Sequence, residues 1–270
     1  MAVHYMIDGQ AVHVATGGRA HVAGRPWALF VHGAGFDHTA FALQSRWLAF
    51  RGWNVLSPDL PGHGRSAGTP LTSIGAMADW SLRLLDAAGA ETAVGIGHSM
   101  GALVLLEAAA RSSQRLTRLL LIGAAGKMPV HPDLLDAAAR NHHDAIDMMN
   151  VWGHGHAAGI GGSRAPGVWM IGASERILER AAPGVLHADL SACNAYDGLA
   201  AAPRVTAQTL LVSGERDMMT PVRNAKSLLA QLPSASLRVL PRAGHMLLAE
   251  SPNELVTAMG DWIVAAAPHA

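Results

Sequence analysis

The chain has 270 residues, half of them apolar, and its twenty basic side chains are balanced by twenty acidic ones; this leaves neither the basic stripe that draws counterions off nucleic acid nor an acidic solvating tail. A single cysteine, Cys193, excludes an intrachain disulfide, and no stretch approaches the ~20 apolar residues needed to span a bilayer. Met1 to Asp8 lacks a basic segment followed by an apolar one, so the expectation is a soluble cytoplasmic protein with no nucleic-acid or membrane partner.

The first elements alternate like half-buried strands: Val3, Tyr5 and Ile7, a turn at Asp8-Gly9, then Val12 and Val14. That pattern predicts an antiparallel hairpin at a sheet edge. Short apolar runs follow at Trp27 to Val31, Trp53 to Leu56, Ala93 to Ile96, Leu119 to Ile122, Thr209 to Val212 and Leu237 to Leu240. Runs without polar alternation suit strands covered on both faces. Helical stretches lie between them, at Ala40 to Arg51, Ile74 to Ala88, Met100 to Arg111, Val222 to Gln231 and Asn253 to Val264. Pro221 after Thr220 and Pro252 after Ser251 place proline in a first helical turn. The alternation predicts an α/β fold with a doubly wound, mostly parallel sheet.

Between Lys127 and Pro203 the alternation stops. A helical piece from Asp133 to Met149, a glycine-rich stretch from Gly153 to Gly167 that includes Gly161, and a second helical piece from Ser174 to Ala181 contain no convincing strand. So long a segment is not a simple connection. Residues 1–126 and 204–270 therefore read as the core, and 127–203 as an inserted helical cap over one sheet edge.

The segment Gly97-His98-Ser99-Met100-Gly101 falls between an expected strand and an expected helix. A serine at so sharp a turn is held in a strained backbone that lifts its hydroxyl clear of the sheet, and the flanking glycines remove side chains that would collide. A serine hydroxyl is a poor nucleophile near neutral pH, so it needs a base, and the base needs a third group to fix its tautomer. Asp217 and His245 each follow an apolar run by a few residues, and loops at the C-terminal ends of parallel strands open on one edge of such a sheet. The order Ser99, Asp217, His245 is the one this geometry requires. After the run ending at Val31, His32-Gly33-Ala34-Gly35 can turn backbone N–H groups toward a developing oxyanion; Ala34 and Met100 are the expected donors. His32 is read as a brace for that loop.

Taken with Asp59-Leu60-Pro61-Gly62-His63-Gly64-Arg65-Ser66, these motifs make nearly the whole chain resemble the α/β-hydrolase family, in its esterase and enol-lactonase branch. The resemblance implies acyl transfer to water through an acyl-serine intermediate and a lid formed by the insertion. It does not identify the acyl group.

Trp152, Trp169, Met148, Met149 and Met170 in the insertion, with Met246 beside His245, are candidate walls of an apolar acyl or aromatic pocket. Ordinary packing of the lid accounts for the insertion residues nearly as well. Arg164 and Arg176 are candidate partners of a substrate carboxylate but read more simply as solvated. His142-His143 and His154-Gly155-His156 lack a second cysteine or an H-E-x-x-H pattern, so no metal is expected; no cofactor is required either. The leading expectation is hydrolysis of a small carboxylic ester or lactone. The alternatives are a carbon–carbon bond hydrolase of ring-cleavage products, a perhydrolase or cofactor-free oxygenase, and a ligand receptor on a hydrolase scaffold. Those carbon–carbon hydrolases typically carry tryptophan after the catalytic histidine, where this chain has Met246. Serine in place of the aspartate nucleophile disfavours epoxide and halide chemistry. Oligomeric state is left open.

Overall fold

The computed structural model describes residues 1–160, 162, 167 and 169–263. Gly161, Arg164 and the last residue of the final expected helix, Val264, lie outside the described residues. Eight strands, β1 (Ala2–Ile7), β2 (Gln10–Ala15), β3 (Trp27–Val31), β4 (Asn54–Pro58), β5 (Ala93–His98), β6 (Leu116–Ile122), β7 (Gln208–Gly214) and β8 (Ala235–Leu240), form one sheet in the order β1-β2-β4-β3-β5-β6-β7-β8. The hairpin β1–β2 is antiparallel and β2 joins β4 antiparallel, while β4 through β8 run parallel. Asp8 and Gly9 both take positive φ, 51° and 74°, as a tight two-residue hairpin turn demands.

Before β6, the α-helices are α1 (Ala42–Ala49), α2 (Ile74–Ala87) and α3 (Met100–Arg111). Between β6 and β7 lie α4 (Pro132–Ala139), α5 (Asp144–Gly153), α6 (His156–Gly159), α7 (Met170–Glu179), α8 (Val185–Ala195) and α9 (Gly198–Ala201); α10 (Val222–Leu229), α11 (Leu247–Glu250) and α12 (Pro252–Ile263) close the chain. Successive residues of each central strand serve opposite cores, because side chains alternate across a sheet. Leu29 and Val31 of β3, Leu119 and Leu121 of β6 and Leu211 of β7 pack with α2 and α3. Ala28 and Phe30, Leu120 and Ile122, and Leu210 and Val212 pack on the other face with Phe41, Leu48, Leu255 and Met259. Covering both faces explains why these strands read as unbroken apolar runs.

No strand interrupts the chain between β6 and β7 among the described residues. The single helix expected from Asp133 to Met149 is two, because Asn141 takes a left-handed φ of 51° and its Oδ1 accepts the Gly184 N–H at 2.6 Å. The helix expected from Ser174 to Ala181 starts earlier, at Met170. Helix α8 was not expected; its apolar stripe of Val185, Leu190 and Cys193 is interrupted by the buried Asp189. No helix among the described residues is long and apolar enough to cross a membrane.

Candidate active site

Ser99 sits between the last residue of β5 and the first of α3, with φ 53° and ψ −117°. That left-handed backbone is costly for a residue with a Cβ and persists only where the surroundings fix it. Here the Ser99 N–H is held by the Ile122 carbonyl at 2.9 Å, and the Ser99 carbonyl accepts the Ala102 N–H. Two flanking glycines make the turn possible: a Cβ on Gly101 would stand 1.9 Å from the Val31 carbonyl oxygen, and one on Gly97 would stand 2.4 Å from that of Gly101.

His245 and Asp217 come together from the loops after β8 and β7. His245 Nδ1–H donates to Asp217 Oδ2 at 2.8 Å, and both residues are buried. Thr220 donates twice to the same carboxylate, its N–H to Oδ1 at 2.7 Å and its hydroxyl to Oδ2 at 2.7 Å; Met219 N–H adds a third bond at 2.9 Å. Burial works against the carboxylate charge, but the His245 charge and hydrogen bond and the Thr220 bonds outweigh it and hold Asp217 at about 2. Asp217 therefore stays anionic, and its bond to Nδ1–H leaves Nε2 as the basic nitrogen of a neutral imidazole. Nε2 is buried and accepts no hydrogen bond among the described residues.

Three sets of contacts around Ser99, His245 and Asp217 were not expected from sequence. His98, the residue before the serine, donates from Nε2 to the His245 carbonyl at 3.0 Å; burial, helped by nearby His245, pushes its pKa down to about 3. The N–H groups of His245 and Met246 both donate to the Gly153 carbonyl, at the end of α5, at 2.9 Å. The buried carboxylate of Glu250 accepts the N–H of Gly244 and, 2.9 Å away, that of Gly155. The sequence signals for these were the glycines beside His154 and His245, Gly153, Gly155 and Gly244, which mark backbone approach without naming a partner.

Ser99, His245, Ala34 and Thr220 line a cavity of about 290 Å³ whose other walls include Met128, Leu134, Met149, Trp152, Leu190 and Met219. Among the described residues no lysine, arginine, aspartate or glutamate lines it. A second, much smaller cleft beside Ser99 and His245 is walled by Phe36, Leu178 and Met246. Among the candidate wall residues, then, Trp152, Met149 and Met246 line a space that Ser99 also lines. Met148 and Met170 line neither space, and Trp169, which precedes α7, is 65% exposed. The correction has a helical reason: one face of α5 turns Met149 and Trp152 inward, three residues apart, and leaves Met148 off it. Arg176 pairs with Glu179 on the surface. Cys193 also lines the cavity, and burial raises its thiol pKa. The groups whose ligand atoms lie close enough to hold a metal are His13, His38 and Asp59, and His143, Glu175 and Glu179, among the described residues; neither group lines the Ser99 cavity. His142 is exposed, and His154 is buried with Nδ1 donating to the Asn150 carbonyl.

The profile of the alpha/beta hydrolase family matches residues 28–258. Among curated relatives, a pimeloyl-[acyl-carrier protein] methyl ester esterase of Aromatoleum aromaticum is 28% identical, covering 88% of this chain and 98% of the relative. A putative carbamate hydrolase of Stutzerimonas stutzeri is 30% identical, covering 64% of this chain and 66% of the relative. Among solved structures, the enol-lactonase from Burkholderia xenovorans LB400 superposes with a TM-score of 0.86 at 22% identity, over 97% of this chain and 100% of that one. With the family profile matching residues 28–258 and the eight-stranded mixed sheet in agreement, this protein belongs to the alpha/beta hydrolase family.

Proposed function

We propose that the protein hydrolyses a carboxylic ester or lactone through an acyl-Ser99 intermediate. The observation that carries this reading is a single cavity onto which open a strained serine and a histidine already bonded to a buried anion. Ser99 Oγ attacks the carbonyl as His245 Nε2 takes its proton, and Asp217 stabilises the imidazolium. The N–H groups of Ala34 and Met100 receive the oxyanion. The same proton then goes to the departing alkoxide, and water, deprotonated by His245, releases the acid.

The walls favour one kind of acyl group. With methionines, Leu134, Leu190 and Trp152 around the cavity and no lysine or arginine on it among the described residues, a neutral medium-length chain or an aromatic ring is the fitting acyl part, because apolar walls give a buried carboxylate little to offset its desolvation. Residues 127–203 act as the cap that closes this space. Relatives named as a methyl ester esterase and a putative carbamate hydrolase are both named for hydrolysis at a carbonyl carbon, which agrees with this reading.

The test is hydrolysis of a p-nitrophenyl ester series from acetate to octanoate, with Ser99→Ala as control. Turnover should rise from acetate toward hexanoate and vanish in the variant. Turnover surviving Ser99→Ala would overturn the acyl-serine mechanism, and no turnover by folded protein on any ester would overturn the ester reading.

A further inference from the structure

Helix α8 of the insertion carries a carboxylate that reaches the oxyanion loop. Asp189 is fully buried, and its Oδ2 accepts two hydrogen bonds at 2.8 Å, from the N–H of Gly35 and from Nε2 of His63. The other nitrogen of His63, Nδ1, faces the Pro61 carbonyl at 3.0 Å. Both ring nitrogens thus meet acceptors, the arrangement of an imidazolium. Burial opposes that charge, but the Asp189 charge and hydrogen bond and the Pro61 carbonyl raise the His63 pKa above its ordinary value. The result is a buried ion pair between the insertion and the loop after β4, with Gly35 attached to its anionic end.

The position of Gly35 gives this contact its consequence. The peptide plane before the Ala34 Cα is held through the Gly33 carbonyl, which accepts from His32 Nδ1 at 2.9 Å and from the Phe36 N–H at 3.2 Å. Because the carbonyl and N–H of a trans peptide point in opposite directions, pinning that carbonyl aims the Ala34 N–H away from His32. The plane after the Ala34 Cα is held by Asp189 through the Gly35 N–H. Both planes flanking Ala34 are therefore fixed, one by the core and one by the insertion. Gly35 itself has φ 71°, and a Cβ there would meet Leu178 and Leu186 of the insertion at 2.9 Å, so the loop is pressed against the helices that deliver Asp189.

We infer that Asp189 is a positioning residue for the oxyanion hole, so that Ala34 is correctly aimed only when the helical insertion is docked on the loop after β3. This rests on the acyl-serine reading above. Asp189 touches no reacting atom; it acts through Gly35. Preorganised donors stabilise a transition state because they need not reorient as charge develops, and a loop freed from Asp189 loses that property without losing substrate contacts in the main cavity, which neither Asp189 nor His63 lines.

The experiment compares wild type, Asp189→Asn and His63→Gln for three quantities: ester kinetics, the affinity of an alkylboronic acid, whose serine adduct carries an anionic oxygen, and the rate of fluorophosphonate labelling. Asp189→Asn should lower kcat at least tenfold with KM within threefold, and weaken the boronic acid in parallel. His63→Gln, which leaves the carboxylate but removes its cationic partner, should shift both in the same direction by less. Unchanged kcat and boronic acid affinity in Asp189→Asn, or a change confined to KM, would overturn the inference. If Asp189→Asn does not fold, His63→Gln decides, and wild-type values there overturn it. Fluorophosphonate labelling of the wild type separates the two readings: no labelling at Ser99 counts against the acyl-serine mechanism itself, while equal labelling rates in wild type and Asp189→Asn count against the positioning role alone.

Discussion

Asp217 accepts three hydrogen bonds from its own turn, two backbone and one hydroxyl, besides the one from His245. The carboxylate is therefore anchored before the histidine reaches it, and the histidine's orientation is inherited from the turn at Met219 and Thr220. Two substitutions separate anchoring from charge. Asp217→Asn keeps the volume but offers His245 the wrong tautomer, so kcat should fall by about 10⁴ with KM little changed. Thr220→Val keeps the charge and removes one bond to it, so a loss of about tenfold in kcat is expected. Ester kinetics on both variants check this; an unaffected Thr220→Val would mean that the backbone amides alone hold the carboxylate.

Among the elements, the insertion is tied to the core by polar contacts on both sides of Ser99. Asp189 holds the loop after β3, and on the other side Gly153 and Glu250 hold the loop that carries His245. In Glu250→Gln one acceptor oxygen becomes an N–H₂ group facing backbone donors. Leaving a buried donor unsatisfied costs about 1–3 kcal/mol, so the variant should unfold at lower urea and turn over esters more slowly; equal unfolding midpoints would sink this account. Such contacts also mark where the sequence stops being readable. Strand β3 and helix α3 match their expected limits to the residue, because a fully covered strand or helix writes its burial into a local apolar pattern. Ser99, Asp217 and His245 stand out in the sequence because each follows an apolar run closely, in a fixed chain order; the structure places Ser99 and His245 on one cavity and bonds His245 to Asp217. Asp189 and Glu250 were not, since their partners, Gly35, Gly155 and Gly244, are distant backbone amides that leave no mark in a local pattern. The same limit explains Met149: one residue decides which methionine of α5 meets the cavity, and only the helix's rotation against the core settles it.

For the whole molecule, buried neutral histidines tilt the response of the fold to acid, foremost His32, after β3, and His98, just before Ser99. Burial, with nearby His63, lowers His32 to about 4, and burial, with nearby His245, lowers His98 to about 3. In the unfolded chain both titrate near the ordinary ~6.5. Below that pH the unfolded state takes up protons that the folded state refuses, so stability falls as pH drops, by about 1.4 kcal/mol per pH unit for each group. Asp59 and Asp217, both held at about 2, contribute stability above about pH 4 that is lost as pH falls toward 2. His63 has the opposite sign: its raised pKa contributes stability below about 6.5 that is lost as pH rises through the folded value. Between pH 6 and 5 the two neutral histidines outweigh it, since His63 is already protonated in both states there. Urea unfolding at pH 7.5, 6 and 5 should therefore show midpoints dropping steeply on the acid side. His98→Gln keeps an amide N–H near the position that donates to the His245 carbonyl and cannot titrate, so it should make the slope shallower by about 1.4 kcal/mol per pH unit. A slope unchanged in His98→Gln would show that His98 takes up its proton in the folded state at ordinary pH, and that the acid sensitivity arises elsewhere in the molecule.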